Sequence, residues 1–196
     1  MKIVLSTDNA HKLREFREIL AGSGIELISK KEAGCFIDVE ENGSTFEENA
    51  FIKAEAVCRA TGLPAIADDS GLCVEALDGA PGVYSARYGG EGLDDVQRYQ
   101  LLLKNMEGKE NRTAKFVSSI ACVFQNGDVL TAEGECAGEI TNGPRGEGGF
   151  GYDPIFLLPQ LGRTMSEISA EEKNAVSHRG NALRAFREKL AEYVNK

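Results

Sequence analysis

The sequence predicts a mixed α/β fold, a sheet flanked by helices with two lobes around a central substrate cleft. Two observations carry this. Apolar runs alternate with stretches of helical periodicity in the first half, as crossover helices between parallel strands require, and a long hairpin follows in the second half. At 196 residues and 42% hydrophobic content, the chain suits one compact, two-lobed domain spanning 1–196 that buries its core without disulfides or structural metal.

Lys2 to Leu5 is a short apolar run, and Leu13, Phe16, Ile19 and Leu20 beyond it recur at helical spacing, giving strand, loop and helix. Glu26 to Ile28 reads as a second strand. Ser44-Thr45-Phe46-Glu47-Glu48 offers two overlapping capping boxes before an Ala-rich helix that runs to about Thr61, where Gly62 and Pro64 stop it. Ala65-Ile66-Ala67 reads as a short buried strand that delivers Asp68-Asp69-Ser70-Gly71 at its C-terminal end. Gly79 to Gly92 is irregular, and Asp94 caps a helix reaching Met106. Phe116 to Phe124 and Val129 to Ile140 flank Asn126-Gly127, the strongest short hairpin signal. A Gly-rich stretch from Thr141 to Gly151 follows, and a helix from Ser177 to Tyr193 closes the chain with Leu183, Phe186 and Leu190 inward.

Five cysteines without a C-x-x-C pair indicate neither a disulfide framework nor a zinc knuckle, and point to a reducing cytoplasm. With two histidines and plentiful carboxylates, any metal is expected to be Mg²⁺ or Mn²⁺. The first residues carry no signal pattern and no apolar run approaches bilayer length, so a soluble, unprocessed protein with no membrane partner is expected. A net charge of −9 argues against a nucleic-acid partner, while a small phosphorylated ligand fits if basic residues cluster locally.

Thr7, Asn9 and Lys12 lie at the first strand-to-helix junction, where free backbone N–H groups and the positive helix end attract phosphate; an ordinary capping loop reads the same way. Asp68 and Asp69 are adjacent acids whose mutual repulsion a divalent cation would relieve, and Asp69 is the candidate metal ligand and base. The same Asp-Asp-Ser-Gly is also good turn chemistry. Glu41 with Lys53, on the helical face of Phe46 and Asn49, suits a metal–phosphate site. Phe150-Gly151-Tyr152-Asp153 combines an aromatic face able to stack on a purine with a carboxylate able to accept from ring N–H, or is a Gly-rich turn with buried aromatics. Lys173, His178 and Arg179 open the last helix, where basic side chains oppose the dipole; that misfit favours a ligand role.

Taken together, these segments resemble the inosine/xanthosine triphosphate pyrophosphatase family, enzymes that remove deaminated purine triphosphates. The carrying residues are Ser6 to Lys12, Glu40 to Ala50, Ala67 to Leu72, Gly79 to Tyr88, Gly148 to Phe156 and Ser177 to Gly180, in the family's order and near its spacing. The resemblance implies an elongated, twisted mixed sheet, a Mg²⁺-dependent hydrolysis of ITP, dITP and XTP to monophosphate and pyrophosphate, and a homodimer. It further implies that Thr7, Asp8, Asn9, Ala10, His11 and Lys12 contact the triphosphate, together with Lys53. Glu41 and Asp69 would hold Mg²⁺, Asp69 would accept the proton, and Ser70 would touch substrate. Phe150, Gly151, Tyr152, Asp153, Lys173, His178 and Arg179 would surround the base. Asp8 departs from the uncharged residue usual in such loops, and is expected to face solvent or a cation. The rival readings are a pyrophosphatase for modified pyrimidine triphosphates, a non-catalytic nucleotide sensor that needs no acidic cluster, and a protein scaffold.

Overall fold

A computed structural model describes residues 1–195. β1 (Lys2–Leu5) leads through a short loop into α1 (Ala10–Ile19), and β2 (Glu26–Ser29) pairs with β1 in parallel, Leu5 opposite Ser29. α2 (Phe46–Thr61) starts in one capping box, in which Thr45 and Glu48 satisfy each other's backbone N–H groups, and it ends at a left-handed Gly62. β3 (Ala65–Val74) returns parallel to β1, with Val4 opposite Ala65. α3 (Asp95–Asn105) is capped by Asp94, and the Asn126-Gly127 turn joins β4 (Thr113–Val123) to β5 (Val129–Ile140). β6 (Phe156–Leu158) and β7 (Arg163–Thr164) add antiparallel to β5 in turn. The seven-stranded sheet runs β2-β1-β3-β4-β5-β6-β7, with parallel pairing at one end and antiparallel pairing at the other. α4 (Ala170–Val176) and α5 (His178–Val194) complete the chain. None of the helices among the described residues is long and apolar enough to cross a membrane.

Several expectations change here. The strand expected over 65–67 runs on to Val74, so Asp68 and Asp69 sit in mid-strand rather than at its end or in a turn. Nearly every β3 residue is buried, and each aspartate meets cations from elsewhere in the fold, which removes the penalty that would otherwise favour a solvated turn. β6, β7 and α4 were not anticipated. α4 does carry a sequence signal, the capping box formed by Ser169 and Glu172, and it places Lys173 in a helix of its own rather than in the last one.

The chain divides into two compact units. The first comprises Met1–Asp69, Ser118–Gly134 and the chain from His178 onward. Its core has two clusters: Ile3, Leu5, Phe16, Ile66, Ile120, Leu183 and Phe186 form one, and Val4, Ala50, Ala54, Val57, Ala65 and Ala67 the other. The second, Ser70–Val117 with Glu135–Ser177, is organised around Leu72, Leu102, Phe116, Ile155, Phe156 and Met165.

Gly134 brings β5 against the start of α5. A Cβ there would lie 2.3 Å from both Ala182 N and His178 O, and helix backbone cannot give way as a flexible side chain would. Gly134→Ala is therefore expected to destabilise the protein by about 3 kcal/mol, the upper end of overpacking costs. Gly143→Ala, where nothing lies within 4 Å, should leave the midpoint of a urea unfolding curve almost unchanged. Equal midpoints for the two variants would refute the close-packing account.

Candidate active site

Successive residues of a strand point to opposite faces, and β3 uses this to separate its two acids. On one face, Asp69 Oδ1 accepts from Lys53 Nζ at 3.0 Å and Oδ2 from Asn49 Nδ2 at 3.2 Å. Asn49 and Lys53 are one turn apart on α2, so the helix presents both donors together. Lys53 Nζ is also 3.2 Å from Glu41 Oε2, which leaves one ammonium between two carboxylates. Burial pushes the Asp69 carboxyl up, Lys53 pulls it back and Glu41 adds to the rise; the net direction is upward, toward a stronger base. Burial alone would lower the Lys53 ammonium, but Asp69 and Glu41 outweigh it and raise it.

Asn49 also holds the Glu41 loop. Its Oδ1 accepts from Gly43 N at 2.8 Å while its amide reaches Asp69, so one fully buried carboxamide links loop and strand. Only glycine fits at 43, because a Cβ would come within 2.7 Å of that oxygen.

On the opposite face, Asp68 Oδ2 accepts from Arg179 Nε at 3.1 Å, and Oδ1 pairs with Lys12 Nζ at 3.0 Å. The Arg179 Nη1 group donates to Glu15. Two cations and two anions thus balance in a site where Arg179 and Asp68 are almost wholly buried. Burial would raise the Asp68 carboxyl, but Arg179 first, then Lys12 and Lys53, hold it well below the usual carboxylate range. Asp68 and Glu15 thus answer the Arg179 charge at the basic start of α5. Each acid has its own ion-pair partner, while Lys12 and Lys53 act on both, in place of the expected unrelieved Asp68–Asp69 repulsion.

In the loop before α1, Asn9 Oδ1 accepts from His11 N at 2.9 Å and Lys12 N at 3.1 Å, while Thr7 Oγ1 accepts from Asn9 N at 3.2 Å. These N–H groups, expected to be free for phosphate, are capped locally, so a phosphate would have to displace the Asn9 carboxamide. Ala10 and His11 are exposed, and Asp8 faces solvent while pairing with Lys30 at 2.7 Å.

In the second unit, Asp153 Oδ2 accepts from Phe150 N at 2.9 Å and from Lys173 Nζ at 2.6 Å. Lys173 Nζ also lies 4.5 Å from the centroid of the Phe150 ring, a cation–π contact that orients it. Gly149 has φ of +74°, and a Cβ would lie 2.2 Å from Asp153 Oδ2, so both conformation and space require glycine. Gly151 N donates to Asp95 Oδ2 at 2.8 Å. Tyr152, expected beside the base, is instead buried in the core: its hydroxyl donates to Ser85 O at 2.8 Å, which anchors the loop and leaves Phe150 as its half-buried aromatic face.

Glu41 and Asp69 fit a divalent cation. Their oxygens converge on one position that the Lys53 ammonium marks, and hard carboxylate donors suit Mg²⁺. Among the described residues, no group of three or more Asp, Glu, His or Cys is placed to hold an ion. The remaining donors would then be water and phosphate oxygens, the usual coordination of Mg²⁺ in triphosphate sites.

Residues 3–189 match the profile of the Ham1 family. This chain belongs to the Ham1 family. A Ham1-family relative, the dITP/XTP pyrophosphatase of Geobacter sulfurreducens, is 50% identical over 191 residues, covering 96% of each chain. That of Desulfotalea psychrophila is 50% identical over 181 residues, 92% of this chain and 81% of the relative. The solved structure of a HAM1 protein from Coxiella burnetii superposes with a TM-score of 0.91 at 45% identity, covering 98% of this chain and 99% of that one. The family resemblance and the mixed α/β fold are both borne out.

Within the Ham1 chain, the structure gathers Lys12, Glu41, Lys53, Asp69 and Arg179 in the first unit and Phe150, Asp153 and Lys173 in the second. Ser70 follows Asp69 along β3 and is half-buried; His178 is buried at the start of α5. Sequence reasoning missed Asn49 as the tether of Asp69 and Glu15 as the partner of Arg179. Asn49 carried a usable signal, since it lies one helical turn before Lys53.

Proposed function

We propose that this Ham1-family chain hydrolyses ITP, dITP and XTP to the nucleoside monophosphate and pyrophosphate, clearing deaminated purines from the nucleotide pool. The observation that supports the reading is geometric: the buried Asp69 carboxylate and Glu41 flank the Lys53 ammonium at 3.0 and 3.2 Å, and burial pushes the Asp69 carboxyl upward. Relatives named dITP/XTP pyrophosphatase at 50% identity support the substrate class.

Asp69 takes the proton of the attacking water, and Asn49 and Lys53 hold its two oxygens in place for that transfer. Glu41 and Asp69 would hold Mg²⁺, which would supply positive charge to the triphosphate. Lys12 and Lys53 add fixed charge where negative charge develops, and Thr7, Asn9, Ala10 and His11 line the loop that receives phosphate. Ser70 contacts the substrate beside Asp69. Phe150 stacks on the purine, Asp153 accepts from ring N–H, and Lys173, held by Asp153, donates to a ring carbonyl. His178 is assigned as a further donor to the 6-carbonyl that inosine and xanthosine share. Arg179 acts by positioning Asp68 and Lys12. The protein is read as a cytoplasmic homodimer; its free cysteines suit a reducing compartment, and sedimentation would check the dimer.

Pyrophosphate release with Mg²⁺ from ITP, dITP, XTP, GTP and ATP tests the reading. Turnover confined to the first three is expected, and equal turnover of all five would overturn it. Phe150→Ala should raise KM for dITP roughly 10- to 100-fold with little change in kcat, from the ~1–3 kcal/mol that base–aromatic stacking contributes. An unchanged KM would remove Phe150 from the base site.

A further inference from the structure

Lys30 is a buried lysine outside the residues assigned above. Its side chain is only 10% exposed, whereas that of its ion-pair partner Asp8 is 80% exposed, so the ammonium lies beneath the loop that bears the acid. The sheet register brings them together. β1 and β2 are parallel with Leu5 opposite Ser29, and Lys30 leaves β2 at the same edge at which Ser6 to Asp8 leave β1. Lys30 Nζ approaches Asp8 Oδ2 at 2.7 Å and, more weakly, donates to Ile37 O at 3.4 Å. Its backbone carbonyl accepts from Cys35 N at 2.9 Å.

The Lys30 side chain therefore touches two loops: the one over Thr7 to Asn9 through Asp8, and the segment leading to Glu41 through Ile37 O, while its backbone carbonyl separately holds Cys35 N. A buried ammonium needs an anion, and Asp8 supplies one; equally, Lys30 cancels an acid that would otherwise repel a triphosphate. We propose that Lys30 is a positioning residue that sets the phosphate loop and the Glu41 loop relative to each other, with Asp8 as its counter-charge. The inference rests on the assignment of those loops to triphosphate and metal, and it gives the acid at position 8 a role.

The test compares Lys30→Met, Lys30→Arg, Asp8→Ala and the double variant Asp8→Ala/Lys30→Met, with exposed Lys31→Met as control. Two readouts are used: backbone amide hydrogen exchange over 35–43, and the kcat/KM for dITP together with the Mg²⁺ concentration giving half-maximal rate. Lys30→Met is expected to speed exchange over 35–43 about 10-fold or more while the β1 and β3 amides keep their protection. It should also lower kcat/KM about 10- to 100-fold, as misplaced loops do, and raise the Mg²⁺ requirement. Lys30→Arg should restore most of both. Asp8→Ala should reproduce the effects, and the double variant should be no worse than either single, the signature of one shared interaction. Unchanged exchange over 35–43 in Lys30→Met, or effects of the two single variants that multiply in the double, would overturn the proposal. If wild-type protein turns over no deaminated purine triphosphate, the functional reading fails by itself, and hydrogen exchange still decides whether Lys30 ties the loops. Should Lys30→Met not fold, Asp8→Ala and Lys30→Arg carry the same comparison.

Discussion

Asp69→Asn is expected to lower kcat for dITP roughly 10²- to 10⁴-fold, the range for loss of a positioned general base. Asn can still accept from Lys53 through its one carbonyl oxygen, its amide then facing the Asn49 amide, and because Lys53 keeps Glu41 at 3.2 Å no buried charge is stranded. The melting temperature should therefore move by only a few degrees. Steady-state kinetics with pyrophosphate detection, beside a thermal scan, would check both. Retention of more than about a tenth of the wild-type kcat would dismiss Asp69 as the base. A variant that loses activity only in proportion to its loss of fold would dismiss it equally.

The second large effect lies one residue away in sequence and on the other face of the strand. Arg179→Met leaves Asp68 and Glu15 without the guanidinium between them, and breaking a buried pair in this way costs about 3–5 kcal/mol. At about 2–4 °C per kcal/mol for a chain of this size, the melting temperature should fall by roughly 6–20 °C. The pH dependence has a defined sign. Asp68 is held well below its ordinary pKa in the folded state, so its stabilising contribution is complete above the unfolded carboxylate range near ~4 and is lost as pH falls toward the depressed value. In Arg179→Met the largest source of that depression is gone, leaving only the contributions of Lys12 and Lys53. The gap in unfolding free energy between wild type and variant should therefore be widest at neutral pH and narrow below about pH 4. Urea unfolding at pH 7 and at pH 3.5 measures it, and a gap that stays constant with pH would show that Arg179 does not govern Asp68. Neighbouring aspartates thus give opposite signatures, one in rate and one in stability.

That contrast was not visible in the chain order. Asp68-Asp69 reads as a pair, with repulsion as its dominant feature, because sequence places the two side by side. Pleating turns them apart, and the partners that settle each one's charge come from α1, α2 and α5, remote in sequence. Arg179 and Glu15 are 164 positions apart, far outside any local periodicity. The same distance explains why Arg179 reads as a ligand: a basic residue at a helix start looks unsatisfied until the opposing carboxylates are known. Tyr152 reads as a stacking surface next to Phe150, yet the loop between Gly149 and Asp153 buries the one ring and leaves the other accessible.

What the sequence by itself determined was whatever short-range rules govern: the strand–loop–helix opening, the Thr45–Glu48 capping box and its Gly62 stop, the Asn126-Gly127 hairpin, and the family motifs that span the chain. These depend on residues within a few positions of one another, where backbone periodicity and capping act. The tertiary structure alone decided which partners pair with each aspartate, Lys53 and Asn49 with Asp69 and Arg179 and Lys12 with Asp68, that Asn49 links the Glu41 loop to β3, and that β3 runs on through a sequence suited to a turn. The physical reason is the same in each case. A buried charge or amide is placed by the partners that cancel its desolvation, and those partners are brought together by sheet register and helix crossover, not by proximity along the chain.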